Sequence, residues 1–227
     1  MSLPPLDPPI EIETADSPDS AVIWLHGLGA DGNDFAPIIP ELGLPAHSAI
    51  RFIFPHAPPQ PVTCNGGYVM RAWYDIYSLD NLDREDSSGL EQARQIVNTL
   101  IQRELDRGIP AQRIVLMGFS QGGAVALYSG LRYPQTLAGI GALSTYLPLQ
   151  ASTEENLHPA NRHTPILMGH GMHDPVVRYA LGETSYEWLV QRDFVVSWHR
   201  YAMEHGVCLE EIGDIGQWLG QCLQLAD

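Results

Sequence analysis

Residues 116–127 read LMGFSQGGAVAL, with Gly118, Gly122 and Gly123 set around one serine and an apolar run on each side. Glycine inside a strand or helix costs roughly 0.5–1 kcal/mol relative to alanine. Such a cluster marks a backbone shape that side chains would forbid. The run before it, RIVLM, reads as a strand, and QGGAVALYSGLRY after it reads as a helix. Ser120 therefore falls on a sharp strand-to-helix turn, and Gly118-Phe119-Ser120-Gln121-Gly122 matches G-x-S-x-G. The small residues two before and two after the serine let strand and helix approach closely. A plain strand–turn–helix has the same outline, so the rest of the chain must decide between the two readings.

Short apolar runs recur at AVIWLH from Ala21, at Ile50–Phe54, Arg113–Gly118, Gly139–Leu143, Ile166–Gly169 and Val195–Tyr201. Each ends in Gly, Pro or polar residues and reads as a strand, mostly buried on both faces. Helical patterns lie between them. SSGLEQARQIVNTLIQRELDRG carries Leu90, Ala93, Ile96, Val97, Leu100, Ile101 and Leu105 on one face, with Ser87 or Ser88 to cap it and Gly108 to end it. Gln121–Tyr133, Arg178–Gln191 and Glu210–Leu223 are further helices. This alternation predicts an α/β fold with a mainly parallel central sheet covered on both faces. No repeat or linker divides the chain, so 1–227 is expected to be one domain after a Pro-rich, acidic segment at 1–20. Pro55–Met70 and Gln150–Thr164 read as surface loops, which leaves no room for a large lid.

Composition removes several classes of function. A formal charge of −15 repels nucleic acid and anionic lipid, so neither is expected as a partner. No apolar stretch has transmembrane length, and the first twenty residues lack the pattern of a signal peptide. Stable membrane insertion is therefore not expected. Cys64, Cys208 and Cys222 are few, odd in number and scattered, which fits a reducing cytoplasm.

A serine hydroxyl is a poor nucleophile until a base takes its proton and a third group orients that base. With a nucleophile elbow, the order along the chain is serine, acid, histidine, each on a loop after a strand. MHDPVV after TPILMGHG puts Asp174 on such a loop, and His205 lies past the last strand, just before the last helix. His199 falls inside that strand and reads as a structural histidine. A tetrahedral intermediate also needs two N–H donors for its oxyanion. The residue after the nucleophile, Gln121, supplies one, and the LHGLGA loop supplies the other from Leu28, with His26 bracing the loop.

These segments resemble the phospholipase/carboxylesterase, or acyl-protein thioesterase-like, family of α/β-hydrolases, and lean toward its small bacterial esterases. The likeness is carried by WLHGLGADGNDF, RFIFPHAP, VTCNGGYVMRAWYDI, GFSQGGAVAL, LSTYLP, HGMHDPVV and MEHGVCLEEIGDIGQWL. It implies a cofactor-free, metal-free serine hydrolase acting on small-molecule esters, often a homodimer. It carries the catalytic roles onto Ser120, Asp174 and His205, and the oxyanion donors onto Leu28 and Gln121. By the same analogy Trp73, Tyr146 and Leu147 line the acyl pocket. Thioesters and lysophospholipids are the alternative substrates.

Glu204 stands where the family has glycine before the base, and is expected to raise the pKa of His205 or crowd its loop. His173 beside the acid is expected to be a loop residue or to add a hydrogen bond near Asp174. Two readings compete. His170-x-x-His173-Asp174 has a metal-like spacing, without the further ligands that an open metal site requires. A hydrolase fold kept only for binding would have lost a catalytic position, and none is lost.

Overall fold

The computed structural model describes residues 6–78 and 84–225. Seven strands form one sheet: β1 (Ile10–Glu13), β2 (Ser20–Leu25), β3 (Ile50–Phe54), β6 (Ile114–Phe119), β7 (Gly139–Leu143), β8 (Ile166–Gly171) and β9 (Val196–Tyr201). Their spatial order is β1-β3-β2-β6-β7-β8-β9, with every neighbouring pair parallel except β1 on β3. A separate hairpin pairs β4 (Pro59–Val62) with β5 (Tyr68–Arg71). The helices are α1 (Ser87–Asp106), α2 (Gln121–Gly130), α3 (Gln150–Glu155), α4 (Tyr179–Val190) and α5 (Leu209–Cys222).

Strand periodicity divides the interior into two layers. On β2, Ala21, Ile23 and Leu25 join the core beneath α1, α2 and α4, while Val22 and Trp24 point to the other face. There they meet Ile212, Ile215, Trp218 and Leu219 of α5, together with Phe35 and Leu42 around a short 3-10 helix, Ala36–Leu42. This is the mainly parallel α/β architecture expected from the chain's alternation, and the α/β-hydrolase fold that the resemblance implies.

Five local expectations are corrected. The Pro-rich, acidic segment contains β1, because Ile10 and Ile12 alternate with Glu11 and Glu13. The isoleucines pack on the core, while Glu11 reaches Arg51 at 3.2 Å and Arg103 at 2.7 Å. Pro55–Met70 is not all loop: it holds β4, most of β5 and a turn at Gly66 and Gly67, both at positive φ. Gln150–Thr164 likewise contains α3. Nor is β9 buried on both faces: this edge strand exposes Ser197 and Arg200. At the start of α1, Asp86 is the cap rather than Ser87 or Ser88, its carboxylate accepting from the Gly89 N–H at 3.0 Å. Gly108 ends the helix in a left-handed conformation, as expected.

Between β2 and β6 the strand order reverses, and the chain leaves their C-terminal ends in opposite directions. Such a crevice is where open α/β sheets bind their ligands. Ser120 follows β6, and the glycine loop from His26 follows β2.

Candidate active site

Ser120 has φ 53° and ψ −119°, a conformation that L-residues avoid and that surrounding packing must impose. The glycines show how. A Cβ on Gly118 would overlap the Gly122 backbone, and one on Gly122 would overlap the Leu25 carbonyl. Strand β6, helix α2 and the end of β2 therefore meet backbone to backbone, with the serine at the point of contact. Its own N–H donates to the Leu143 carbonyl at 2.8 Å, and its carbonyl accepts from Thr145 Oγ1 at 2.7 Å.

The Ser120 hydroxyl lies 3.0 Å from His205 Nε2, and His205 Nδ1 lies 2.6 Å from Asp174 Oδ2. Since the carboxylate accepts, Nδ1 carries the proton and Nε2 is left bare toward the serine. Asp174 is held in turn, its Oδ1 accepting from the N–H groups of Val176 at 2.8 Å and Val177 at 2.9 Å. Phe119 packs against the His205 ring at 4.8 Å between centroids. Residues from the loops after β6, β8 and β9 thus converge, although 31 and 85 positions separate the hydrogen-bonded pairs.

His199 sits apart on β9, with Nδ1 3.0 Å from Asp214 Oδ2, a structural pairing at the sheet edge. His170 and His173 diverge. The first is buried with Nε2 on the Val177 carbonyl at 2.8 Å, and burial lowers its pKa. The second is exposed and contributes its backbone N–H to the Met203 carbonyl rather than a bond to Asp174. Glu204 is exposed too, and meets Gly171 through its backbone.

Gln121 opens α2, so its N–H has no acceptor within the helix. Neither this N–H nor that of Leu28 is taken up by another group among the described residues. Gly27 brings the Leu28 loop beside the serine: a Cβ there would stand 3.4 Å from Ser120 Cβ. The Gln121 side chain accepts from the Trp73 N–H at 2.8 Å and donates to the Tyr74 carbonyl at 2.7 Å. Sequence reasoning missed this tie, because a glutamine after the nucleophile shows only its backbone role in the motif.

Tyr146 and Leu147 line a cavity of about 250 Å³ with Glu85, Gln150, Leu181, Thr184 and Ser185. Trp73 is not among those lining residues. It is only 2% exposed, and its indole N–H donates to the His26 carbonyl at 2.9 Å. It is as buried as Leu147 and ties the start of α2 to the loop after β2. A larger cavity of about 620 Å³ lies between α5 and the 3-10 helix and is lined by none of Ser120, His205, Asp174, Leu28 or Gln121.

The model of the phospholipase/carboxylesterase family matches residues 9–223. The chain belongs to that family. Acyl-protein thioesterase 1 of Neurospora crassa is 40% identical over 225 residues, covering 95% of this chain and 92% of that protein. A probable carboxylesterase of Oryza sativa subsp. japonica is 38% identical over 203 residues, covering 88% and 76%. The crystal structure of Zea mays acyl-protein thioesterase 2 is similar at a TM-score of 0.84 and 29% identity, covering 95% of this chain and 98% of that one. These family members are fungal and plant proteins, so the leaning toward the small bacterial esterases is not supported.

Proposed function

We propose that this chain is a serine hydrolase that cleaves carboxylic esters and thioesters through an acyl-enzyme on Ser120. The unbroken relay from Ser120 through His205 to Asp174, at 3.0 and 2.6 Å, carries the reading. His205 Nε2 takes the hydroxyl proton as Ser120 Oγ attacks the acyl carbon. The carbonyl oxygen becomes an oxyanion held by the N–H groups of Leu28 and Gln121, and Asp174 stabilises the imidazolium. Collapse expels the alcohol or thiol, which leaves with the proton from Nε2. Water then repeats the sequence on the acyl-enzyme, releasing the acid and restoring the serine. Tyr146 and Leu147 place the acyl chain in the cavity that they line.

Thioesters belong to the same reading because both substrate classes give the same acyl-enzyme, and the names of the fungal and maize relatives favour them. We place the protein in the cytoplasm, where its three free cysteines stay reduced. The homodimer suggested by family resemblance is checked by sedimentation. No helix among the described residues is long and apolar enough to cross a membrane.

A fluorophosphonate probe tests the reading directly. One adduct on Ser120, seen by peptide mass spectrometry, is expected, together with loss of nearly all hydrolysis in a folded Ser120→Ala variant. An adduct elsewhere, or a fully active alanine variant, defeats the assignment. A protein that hydrolyses nothing and takes no adduct is a binding module instead.

A further inference from the structure

If Ser120 is the nucleophile and Leu28 an oxyanion donor, as proposed above, something must hold the Leu28 N–H in place. A loop with glycines at 27, 29 and 32 has little shape of its own. Its backbone groups are nonetheless bound one after another. The His26 carbonyl accepts from the Trp73 indole, and the Gly29 N–H donates to the Arg71 carbonyl at 2.8 Å. The rest of the anchoring comes from two buried histidines, one on each of two neighbouring loops. His26, after β2, has its Nε2 3.0 Å from the Ala57 N–H, on the loop after β3. His56, after β3, has its Nδ1 3.1 Å from the Gly32 N–H, on the loop after β2. Each loop thus places a histidine on the backbone of the other.

The partners decide the tautomers. Ala57 N–H can only donate, so His26 Nε2 is bare, and its Nδ1–H donates to the Gly27 carbonyl at 2.7 Å. Gly32 N–H can only donate, so His56 Nδ1 is bare as well. The clasp needs both rings neutral, and burial, the largest influence, lowers the pKa of His26 to about 4. Gly27, carried by the His26 ring, is the residue immediately before Leu28. The Leu28 N–H, between these anchors and beside Ser120, has no acceptor among the described residues.

We propose that His26 and His56 are positioning residues, a reciprocal clasp that aims the Leu28 N–H at the oxyanion of the tetrahedral intermediate. A donor that matters only in the transition state changes kcat more than KM. His56→Leu removes the acceptor for Gly32, while His56→Asn offers Oδ1 close to where Nδ1 stood.

The experiment measures ester hydrolysis and inhibition by a trifluoromethyl ketone, whose adduct with the serine carries an oxyanion. His56→Leu is expected to lower kcat about 10-fold, short of the 10²–10³ of a donor lost outright, with KM within about two-fold. Inhibition by the ketone should weaken in parallel, and His56→Asn should restore most of both. If His56→Leu does not fold, Trp73→Phe, which removes the indole N–H donor to the His26 carbonyl together with the fused ring, is expected to show the same split in a variant whose melting curve confirms the fold. A folded His56→Leu with normal kcat, or a loss confined to KM with unchanged ketone binding, overturns the clasp while an active wild type upholds the enzyme. A wild type with neither activity nor a Ser120 adduct overturns the enzyme reading itself.

Discussion

Two histidines six positions apart, His199 and His205, differ in consequence because a strand ends between them. His199 is tied to Asp214 at the sheet edge, whereas His205 lies past Tyr201 and reaches Ser120. His205→Ala should therefore be nearly as damaging as Ser120→Ala, and His199→Ala should keep substantial activity in a kcat/KM comparison. His26 leads to a pH effect on stability. Its folded pKa of about 4 lies below its ordinary 6.5 because burial disfavours the charged ring, opposed by the Gly27 carbonyl and Asp31 and reinforced by His56 and Arg71. Between these values the unfolded chain binds a proton that the folded one does not, so stability is full above pH 6.5 and declines toward pH 4. The expected loss is about 3 kcal/mol. Urea unfolding should show a shallower decline for His26→Gln over that window, and parallel curves would contradict the assignment.

At the scale of elements, α5 shows where helix propensity and packing oppose each other. Gly216 lies mid-helix, where alanine would ordinarily gain about 1 kcal/mol. A Cβ there would overlap the Leu42 backbone carbonyl, which has no side-chain freedom to yield. Gly216→Ala should therefore lower the melting temperature despite its better propensity, and a raised Tm would show that the 3-10 helix moves freely. The helices legible in the sequence were those with a strong apolar face, α1 and α5 above all, and their observed ends lie within a residue or two of expectation. α2 ends three residues earlier than expected, at Gly130. Strand β1 and the β4–β5 hairpin were hidden for different reasons. Neighbouring prolines and acids masked the Ile-Glu alternation, and Pro59 and Pro61 suppress strand propensity on a ribbon outside the main sheet.

Across the whole molecule, all twelve basic residues are arginines against 27 acidic ones, so the surface is strongly anionic. Docking on acidic bilayers is disfavoured. Monomeric or micellar esters should be hydrolysed faster than phospholipid in anionic vesicles, and vesicle hydrolysis that outpaces monomeric butyrate ester would reverse this view. If the acyl chain lies in the cavity at Tyr146 and Leu147, as proposed, each CH₂ buried contributes up to about 0.8 kcal/mol until the chain outgrows it. Efficiency on p-nitrophenyl esters should climb from acetate, peak at short-to-medium lengths and then decline. A profile still rising at palmitate would show that the acyl chain runs elsewhere.

From the sequence by itself came the alternation that makes a parallel sheet, the glycine-framed serine between strand and helix, and the loops bearing Asp174 and His205. These are local signals: periodicity, glycine placement and order along the chain are written in adjacent residues. Only the tertiary structure decided that the Trp73 indole braces the His26 carbonyl, that Gln121 grips the Trp73–Tyr74 backbone, and that His26 and His56 cross between loops. Each depends on which polar group a side chain meets after burial. That pairing is set by strand order, which brings β3 beside β2 and β6 on its other side, and no local pattern in the chain encodes it.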